Sequence, residues 1–410
     1  MISVLVPVSA LLMGAALLLG GVGILNTVLA LRGSAEGFSD SVIGLVLSAY
    51  FAGFLLGTWL GPKIINRVGH IRAFALFSAV ASSATLLHVL LIDAWAWAIL
   101  RVLTGVAMVG LYAVIESWMS VVAPRDQRGT VFASYMVVNF SALAASQGAL
   151  IWLPTEGFAI FSLAAILITL ALTPVVLTGL AQPALGPDTR FGATRLLKIA
   201  PLAAVGALLS GVATSAVWGM VPLMLGKLGQ APSAIGPLMI VIIMSGALAQ
   251  IPVGHLGDRV DRRWVLLGLS LVATVAGVLI YLSIAAGMDV AWLLPGLALL
   301  GASGFCVYPA CVALCNDHLR PEEIVAAASS LLLFHGGGAV LGPIIAGAMM
   351  QWSGPQGLGL YFALSWGTLG AYAAWRSAVA RRPKQQRSGF AWMLRTTPVV
   401  LEMLEDDIDA

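Results

Sequence analysis

The stretch "GHLGDRVDRRW", residues 254–264, sets Asp258, Arg259, Asp261, Arg262 and Arg263 within six positions, between two apolar runs. Charge is scarce elsewhere: 10% of the 410 residues are charged and 60% are hydrophobic, with a mean hydropathy of +0.98. Soluble domains carry about a quarter charged residues. The 21 Lys/Arg and 18 Asp/Glu cannot cover so much apolar surface from water, so the solvent of this chain is lipid. The 45 glycines agree, since glycine is frequent in membrane helices and permits close helix contact. The charged stretch is therefore a loop at one membrane face.

Working outward from it, apolar stretches of about 18 or more residues mark twelve membrane-spanning helices. They lie near 6–31, 42–62, 73–92, 95–119, 130–152, 157–178, 199–222, 235–254, 264–286, 291–315, 324–350 and 357–378. The runs are continuous rather than alternating, which excludes a β-barrel. The N-terminus lacks the basic region of a signal peptide, and its apolar run spans rather than being cleaved. The longest polar break inside the bundle, 179–198, divides the chain into a six-helix unit, 1–178, a central loop, 179–198, and a second six-helix unit, 199–378. A polar tail, 379–410, closes the chain on the acidic run "EMLEDDIDA".

Orientation follows from Lys/Arg placement. With the N-terminus inside, 18 of the 21 basic residues fall on cytoplasmic loops and tail, among them Lys63, Arg67, Arg125, Arg195, Arg262 and Arg320. Arg32 and Lys227 fall outside, and Arg101 lies within a span. Both termini are expected in the cytoplasm.

The charged loop has a faint echo, "PKIINRVGHIR" (62–72). Shifted by 192 residues, Ile43-Gly44 lands on Ile235-Gly236, Asn66 on Asp258 and Arg67 on Arg259. In the fourth span of each unit the shift becomes 196: Gly105 meets Gly301, Tyr112 meets Tyr308, and Asn139 meets His335. Two like-oriented units of six helices suggest a parallel repeat, with a substrate site between them near mid-membrane and access alternating by rocking.

On these residues the chain resembles the major facilitator superfamily over about residues 5–380. The family's loop motif, Gly-x-x-x-Asp-Arg-x-Gly-Arg-Arg, is matched by Gly254, Asp258, Arg259, Arg262 and Arg263, with Asp261 in place of the second glycine. In the first unit Arg67 and Gly69 match, while Asn66 replaces the acid, His70 a basic residue and Pro62 the first glycine. A second signature, Arg-x-x-x-Gly, appears as Arg101 and Gly105. The resemblance implies an all-α integral membrane fold of two pseudo-symmetric six-helix bundles in a bacterial cytoplasmic (inner) membrane. It also implies that the charged loops stabilise an outward-facing state. Asp258 would sit at a helix N-terminus, where the dipole is positive, with Arg259, Arg262 and Arg263 pairing with Asp261, Asp317, Glu322 or Glu323. Asn66 carries no charge, so the first-unit latch, Asn66, Arg67 and Gly69, is expected to be weaker. Plain positive-inside topology would account for the same charges.

Ionisable groups within spans are costly and face the bundle interior. Arg101 and Glu116 share the fourth span, about 60° apart around its axis and about 22 Å apart along it. The resemblance implies a proton-coupling role for Arg101; bonding to neighbouring helices is the structural alternative. Glu116 would join the cytoplasmic network through Arg67, His70 or Arg128, or titrate during transport. His335, near mid-membrane, either carries a coupling proton or stays neutral, bonded to Tyr308 or Cys311. His88 reads as an interfacial histidine. Asn26, Tyr50, Asn139, Trp218, Gln250 and Tyr308 are the polar and aromatic cavity candidates, led by Asn26, Asn139 and His335.

Cys306, Cys311 and Cys315 match no metal spacing and read as packing residues. No metal or cofactor is expected; a proton gradient is. The net charge of +3 gives no support for a nucleic-acid partner. No phosphate-binding Gly-x-x-x-x-Gly-Lys-Ser/Thr loop, His-Glu-x-x-His or Gly-x-Ser-x-Gly motif occurs, so neither ATP drive nor an intramembrane enzyme is expected. The expected function is secondary active transport of a small neutral or amphipathic solute, proton-coupled and monomeric, with efflux favoured over uptake. The alternative is a non-transporting membrane sensor or scaffold on the same fold, with the acidic tail as its partner-binding feature.

Overall fold

The computed structural model describes residues 2–122, 127–177, 192–320 and 323–379. Arg125, Glu322, most of the central loop and nearly all of the tail with its acidic run lie outside them. Among the described residues the twelve main helices are α1 (Ile2–Ala35), α2 (Asp40–Val68), α3 (His70–Leu90), α4 (Ala94–Val122), α5 (Arg128–Gln147), α6 (Phe158–Leu170), α7 (Pro201–Lys227), α8 (Pro232–Arg259), α9 (Arg262–Ala285), α10 (Leu294–Asn316), α11 (Ile324–Ser353) and α12 (Gly357–Val379). Short helical pieces, Ala149–Trp152 and Leu172–Val176, extend α5 and α6, and Ala193–Ile199 precedes α7. Among the described residues, eleven helices are long and apolar enough to cross a bilayer. The twelfth expected span, α12, has the length, 23 residues. Its glycines, serines, tyrosines and tryptophans dilute its apolar character, and it closes the second unit by packing on α7, α9 and α11.

The packing pattern repeats with a period of six helices. Within the first half α2 packs on α4, α3 on α4 and α6, and α1 on α5 and α6. Within the second, α8 packs on α10, α9 on α10 and α12, and α7 on α11 and α12. Among the described residues, contact between the halves is carried mainly by α1 with α7, α2 with α11, and α5 with α8. Advancing every helix by six maps this set onto itself, as a near-twofold rotation requires. The register agrees at atomic detail. A Cβ on Gly105 would collide with the carbonyl oxygen of Tyr50, and one on Gly301 with that of Ile242. These are the same helix crossing under the 196 and 192 shifts. Lipid gives no hydrophobic drive for helices to associate, so close backbone contact through glycine supplies packing instead.

The helices alternate in direction, giving the bundle two ends. The basic end carries the start of α1 and the charged stretch between α8 and α9. The far end carries the α1–α2, α7–α8 and α11–α12 turns. α7 and α10 are the most buried spans, and α6 and α9 are among the least. The first pair lines the interior and the second faces lipid.

Candidate functional site

A central cavity of ≈ 110 Å³, room for several waters, lies between the halves and is walled by α1, α2, α4, α5, α7, α10 and α11. Asn26, Tyr50, Asn139, Trp218, Tyr308 and His335 all face it. The repeat-related pairs Tyr112/Tyr308 and Asn139/His335 therefore sit around one cavity. Gln250 is buried but is not on this wall. Aromatic rings give the wall its shape: Trp218 stacks on Phe305 at 5.4 Å, and Tyr308 lies 4.6 Å from the His335 ring. His335 is 5% exposed, and its Nδ1 shares a 3.0 Å hydrogen bond with Ser210 Oγ of α7.

The formal charges stand one residue behind the wall. The Arg101 guanidinium donates to Asn26 Oδ1 at 2.7 Å and lies 4.4 Å from the centre of the Tyr50 ring. It is 1% exposed, and its Nε and Nη1 have no hydrogen-bond partner. Desolvating a cation without an acid beside it is costly; the Tyr50 ring face and the Asn26 amide offset part of that cost. Glu116, also 1% exposed, accepts a 3.1 Å hydrogen bond from the Tyr135 hydroxyl, and Tyr135 faces the cavity. Arg101 thus meets the cavity wall through Asn26 and Tyr50, toward the far end, and Glu116 through Tyr135, toward the basic end.

The far end is sealed where the halves meet. Lys227, the last residue of α7, forms a 2.6 Å ion pair with Asp40, the first residue of α2. Asp40 is 3% exposed. The Ser41 amide donates to Gln351 Oε1 of α11 at 3.2 Å. Two glycines complete the seal. A Cβ on Gly44 would strike the Pro343 carbonyl oxygen of α11, and one on Gly236 would strike the Gln147 carbonyl oxygen of α5. Gly44 and Gly236 are related by the 192 shift, and Gln147 and Pro343 by the 196 shift. Both halves contribute the same contact, once each.

At the basic end the charged stretch stitches one half together. Arg262 is 3% exposed, donates to the Ala313 carbonyl at 2.6 Å and pairs with Asp317 at 2.7 Å. A cation there satisfies the carbonyls and the dipole at the end of α10. Asp258, in the last turn of α8, lies 3.7 Å from Arg262 and is about half exposed. The cap at the start of α9 is Asp261, which accepts from the Arg263 amide at 3.0 Å. Arg259 ends α8 at the surface, Gly254 is buried on α8, and Arg263 borders a second cavity. In the first half Asn66 and Arg67 are exposed, Gly69 joins α2 to α3 at a φ of 85° and Arg128 opens α5. Where Arg262 stands in the second half, His70 packs its ring on Trp118 at 5.7 Å.

Two readings of the sequence change. Asp258 is not at a helix N-terminus: it lies in the last turn of α8, where the dipole is negative, and Asp261 takes the cap at the start of α9. His88 is fully buried rather than interfacial: its Nδ1 bonds the Ala84 carbonyl at 2.6 Å and its ring lies against Trp97. Its own backbone and one indole replace the water that an interfacial ring would use. Sequence reasoning also missed Asp40, Gly44, Gly236, Ser210 and Tyr135. The Gly44/Gly236 repeat was visible; Asp40 looked like an ordinary first-turn acid.

A cavity between two repeat-related bundles of apolar helices, with the halves in contact at its far end, is the arrangement of a membrane transporter. Residues 203–403 match the model of the Major Facilitator Superfamily. An uncharacterized MFS-type transporter of Enterobacter sp. (strain 638) is 30% identical over 84% of this chain and 89% of its own length. The uncharacterized MFS-type transporter YcaD of Escherichia coli O139:H28 is 30% identical over the same shares. The chain belongs to the major facilitator superfamily. Among solved structures, the nucleoside transporter NupG superposes with a TM-score of 0.73 at 13% identity, covering 92% of this chain and 100% of that one. A bacterial homolog of the human lysosomal transporter Spinster superposes at 0.72 with 16% identity, over 92% and 98%. At such identity these likenesses establish the fold.

Proposed function

We propose that this transporter moves a small neutral or amphipathic solute out of the cell in exchange for protons, with its basic end in the cytoplasm of a bacterial inner membrane. The placement of basic residues supports that orientation, and it makes the conformer described here closed to the exterior. The observation that carries the reading is the cavity wall. Asn26, Asn139, Tyr308 and His335 offer hydrogen bonds among aromatic surfaces, while Arg101 and Glu116 stand behind it. A dianion would require several cations on the wall itself; an amphipathic solute requires apolar surface and a few fixed polar groups.

His335 is the group we assign to the coupling proton, because imidazole exchanges protons near neutral pH and this ring meets both the cavity and Ser210. Arg101 biases the same wall electrostatically through Asn26. The protein works as a monomer in this reading.

The test is purified protein in liposomes enclosing a pH-sensitive dye, screened against a panel of amphipathic solutes. Solute addition moves protons in wild type, and His335→Ala abolishes the proton signal. Solute flux in wild type that ignores an imposed pH gradient would overturn proton coupling.

A further inference from the structure

A second cavity, ≈ 240 Å³, lies at the basic end and away from the central one. Four helix ends meet there: the starts of α7 and α9 and the finishes of α10 and α12. Its cationic groups are Lys198, Arg263 and Arg376, with the His318 ring beside them, and no acid lines it. The nearby acids are committed elsewhere, Asp317 to Arg262 and Glu323 to Arg195. Lys198, Arg263 and Arg376 have no acidic partner among the described residues. The first turn of α7 adds backbone donors. Leu202 and Ala203 line the cavity, and the first bonded amide of that helix is Ala204, 3.0 Å from the Ala200 carbonyl. His318 spends Nδ1 on the Leu314 carbonyl at 2.9 Å, leaving Nε2 uncommitted.

We propose that this cavity binds the phosphate headgroup of an acidic phospholipid. Two guanidinium forks and a lysine around free helix-start amides match phosphate oxygens, and such basic pockets between membrane helices suit anionic headgroups. The lipid source is favoured by what flanks the cavity. Trp264 and Trp375 directly adjoin Arg263 and Arg376 in sequence and are 58% and 56% exposed, as interfacial anchors are. Leu271 on α9 and Leu364 on α12 are exposed along the same two helices, giving acyl chains an apolar bed. The site is no by-product of the repeat, since under the 192 shift Ile71 stands where Arg263 does. A bound headgroup ties together α7 and α10, which wall the central cavity, and α9 and α12, which face lipid. It braces the second half as one body. The proposal depends neither on the transported solute nor on proton coupling.

The experiment measures lipid binding to the full-length protein by native mass spectrometry. Phosphatidylglycerol, phosphatidylcholine and inorganic phosphate serve as probes. Wild type prefers phosphatidylglycerol over phosphatidylcholine at least tenfold. Arg263→Gln with Arg376→Gln removes the preference. Arg263→Lys with Arg376→Lys keeps most of it, and Lys63→Gln with Arg72→Gln, which takes equal charge from the same end, leaves it intact. A monodisperse Gln double variant that keeps the preference overturns the proposal. So does displacement of phosphatidylglycerol by an equal concentration of inorganic phosphate, which marks a free-anion site. So does a preference that emerges only in Glu405→Gln, Asp406→Asn, Asp407→Asn, which marks the chain's own acidic run as the occupant. Should the double variant aggregate, Arg376→Gln alone loses at least threefold, and no loss is again contrary.

Discussion

At the scale of single residues, the cavity was largely legible from sequence. Asn26, Asn139 and His335 were conspicuous because polar groups in an apolar span are costly and rarely idle. Their partners were not legible. Ser210 reads as an ordinary helix serine, and only the fold brings it to His335, 125 residues away. The same holds for Tyr135 and Glu116. These contacts separate charge from hydrogen bonding. His335→Gln can retain a bond to Ser210 but cannot carry a proton. It should keep solute affinity within about fivefold, because an uncharged hydrogen bond contributes about 1 kcal/mol, while losing pH-driven flux; equilibrium binding and liposome flux on one preparation check this. Arg101→Lys keeps the charge but loses the planar fork that meets Asn26 and the Tyr50 ring together. Coupled flux should fall about tenfold with little change in thermal stability. Flux at the wild-type level would remove Arg101 from the mechanism.

At the scale of elements, the repeat was readable and its consequence was not. The Ile-Gly pair at 43–44 and 235–236 marked the register, yet nothing local says that a glycine must meet a carbonyl of another helix. The Asp40–Lys227 pair joins residues 187 apart, and such a pairing leaves no local signature. His88 failed for the converse reason. Its position near a span end suggested water, and the Trp97 ring that covers it belongs to the next helix. The far-end seal yields two predictions. Gly44→Ala and Gly236→Ala each place a methyl against backbone that must retreat, so either should shift the population toward opening at that end. Cysteine labelling of a far-end cavity residue should rise in both variants, and equally, because the contacts are repeat-related. Asp40→Asn should do the same more mildly, by about 1–2 kcal/mol or roughly a factor of ten in the closed-to-open ratio, since Lys227 is part exposed and screened. At the basic end, Arg262 belongs to the fold of its own half. Arg262→Ala strands the buried Asp317 carboxylate and should lower stability by about 3 kcal/mol, measured as a drop in the thermal unfolding midpoint. An unchanged midpoint would make that pair dispensable.

At the scale of the whole molecule, lipid solvation, twelve expected spans and the two-unit pattern followed from composition and spacing, because the bilayer permits few architectures. The conformer did not, since closure at the far end rests on contacts between residues far apart in sequence, such as Asp40 with Lys227. The central claim is that two sibling bundles rock about the cavity, opening one end as the other closes. The most direct measurement is a pair of spin-label distances in lipid nanodiscs. One pair spans the far end, Ala35→Cys with Ser233→Cys; the other spans the basic end, Thr130→Cys with His255→Cys. Each end should show two distance populations, and solute or pH should shift them in opposite senses, the far end lengthening as the basic end shortens. A single unchanging distance at each end, or both ends lengthening together, would contradict the account.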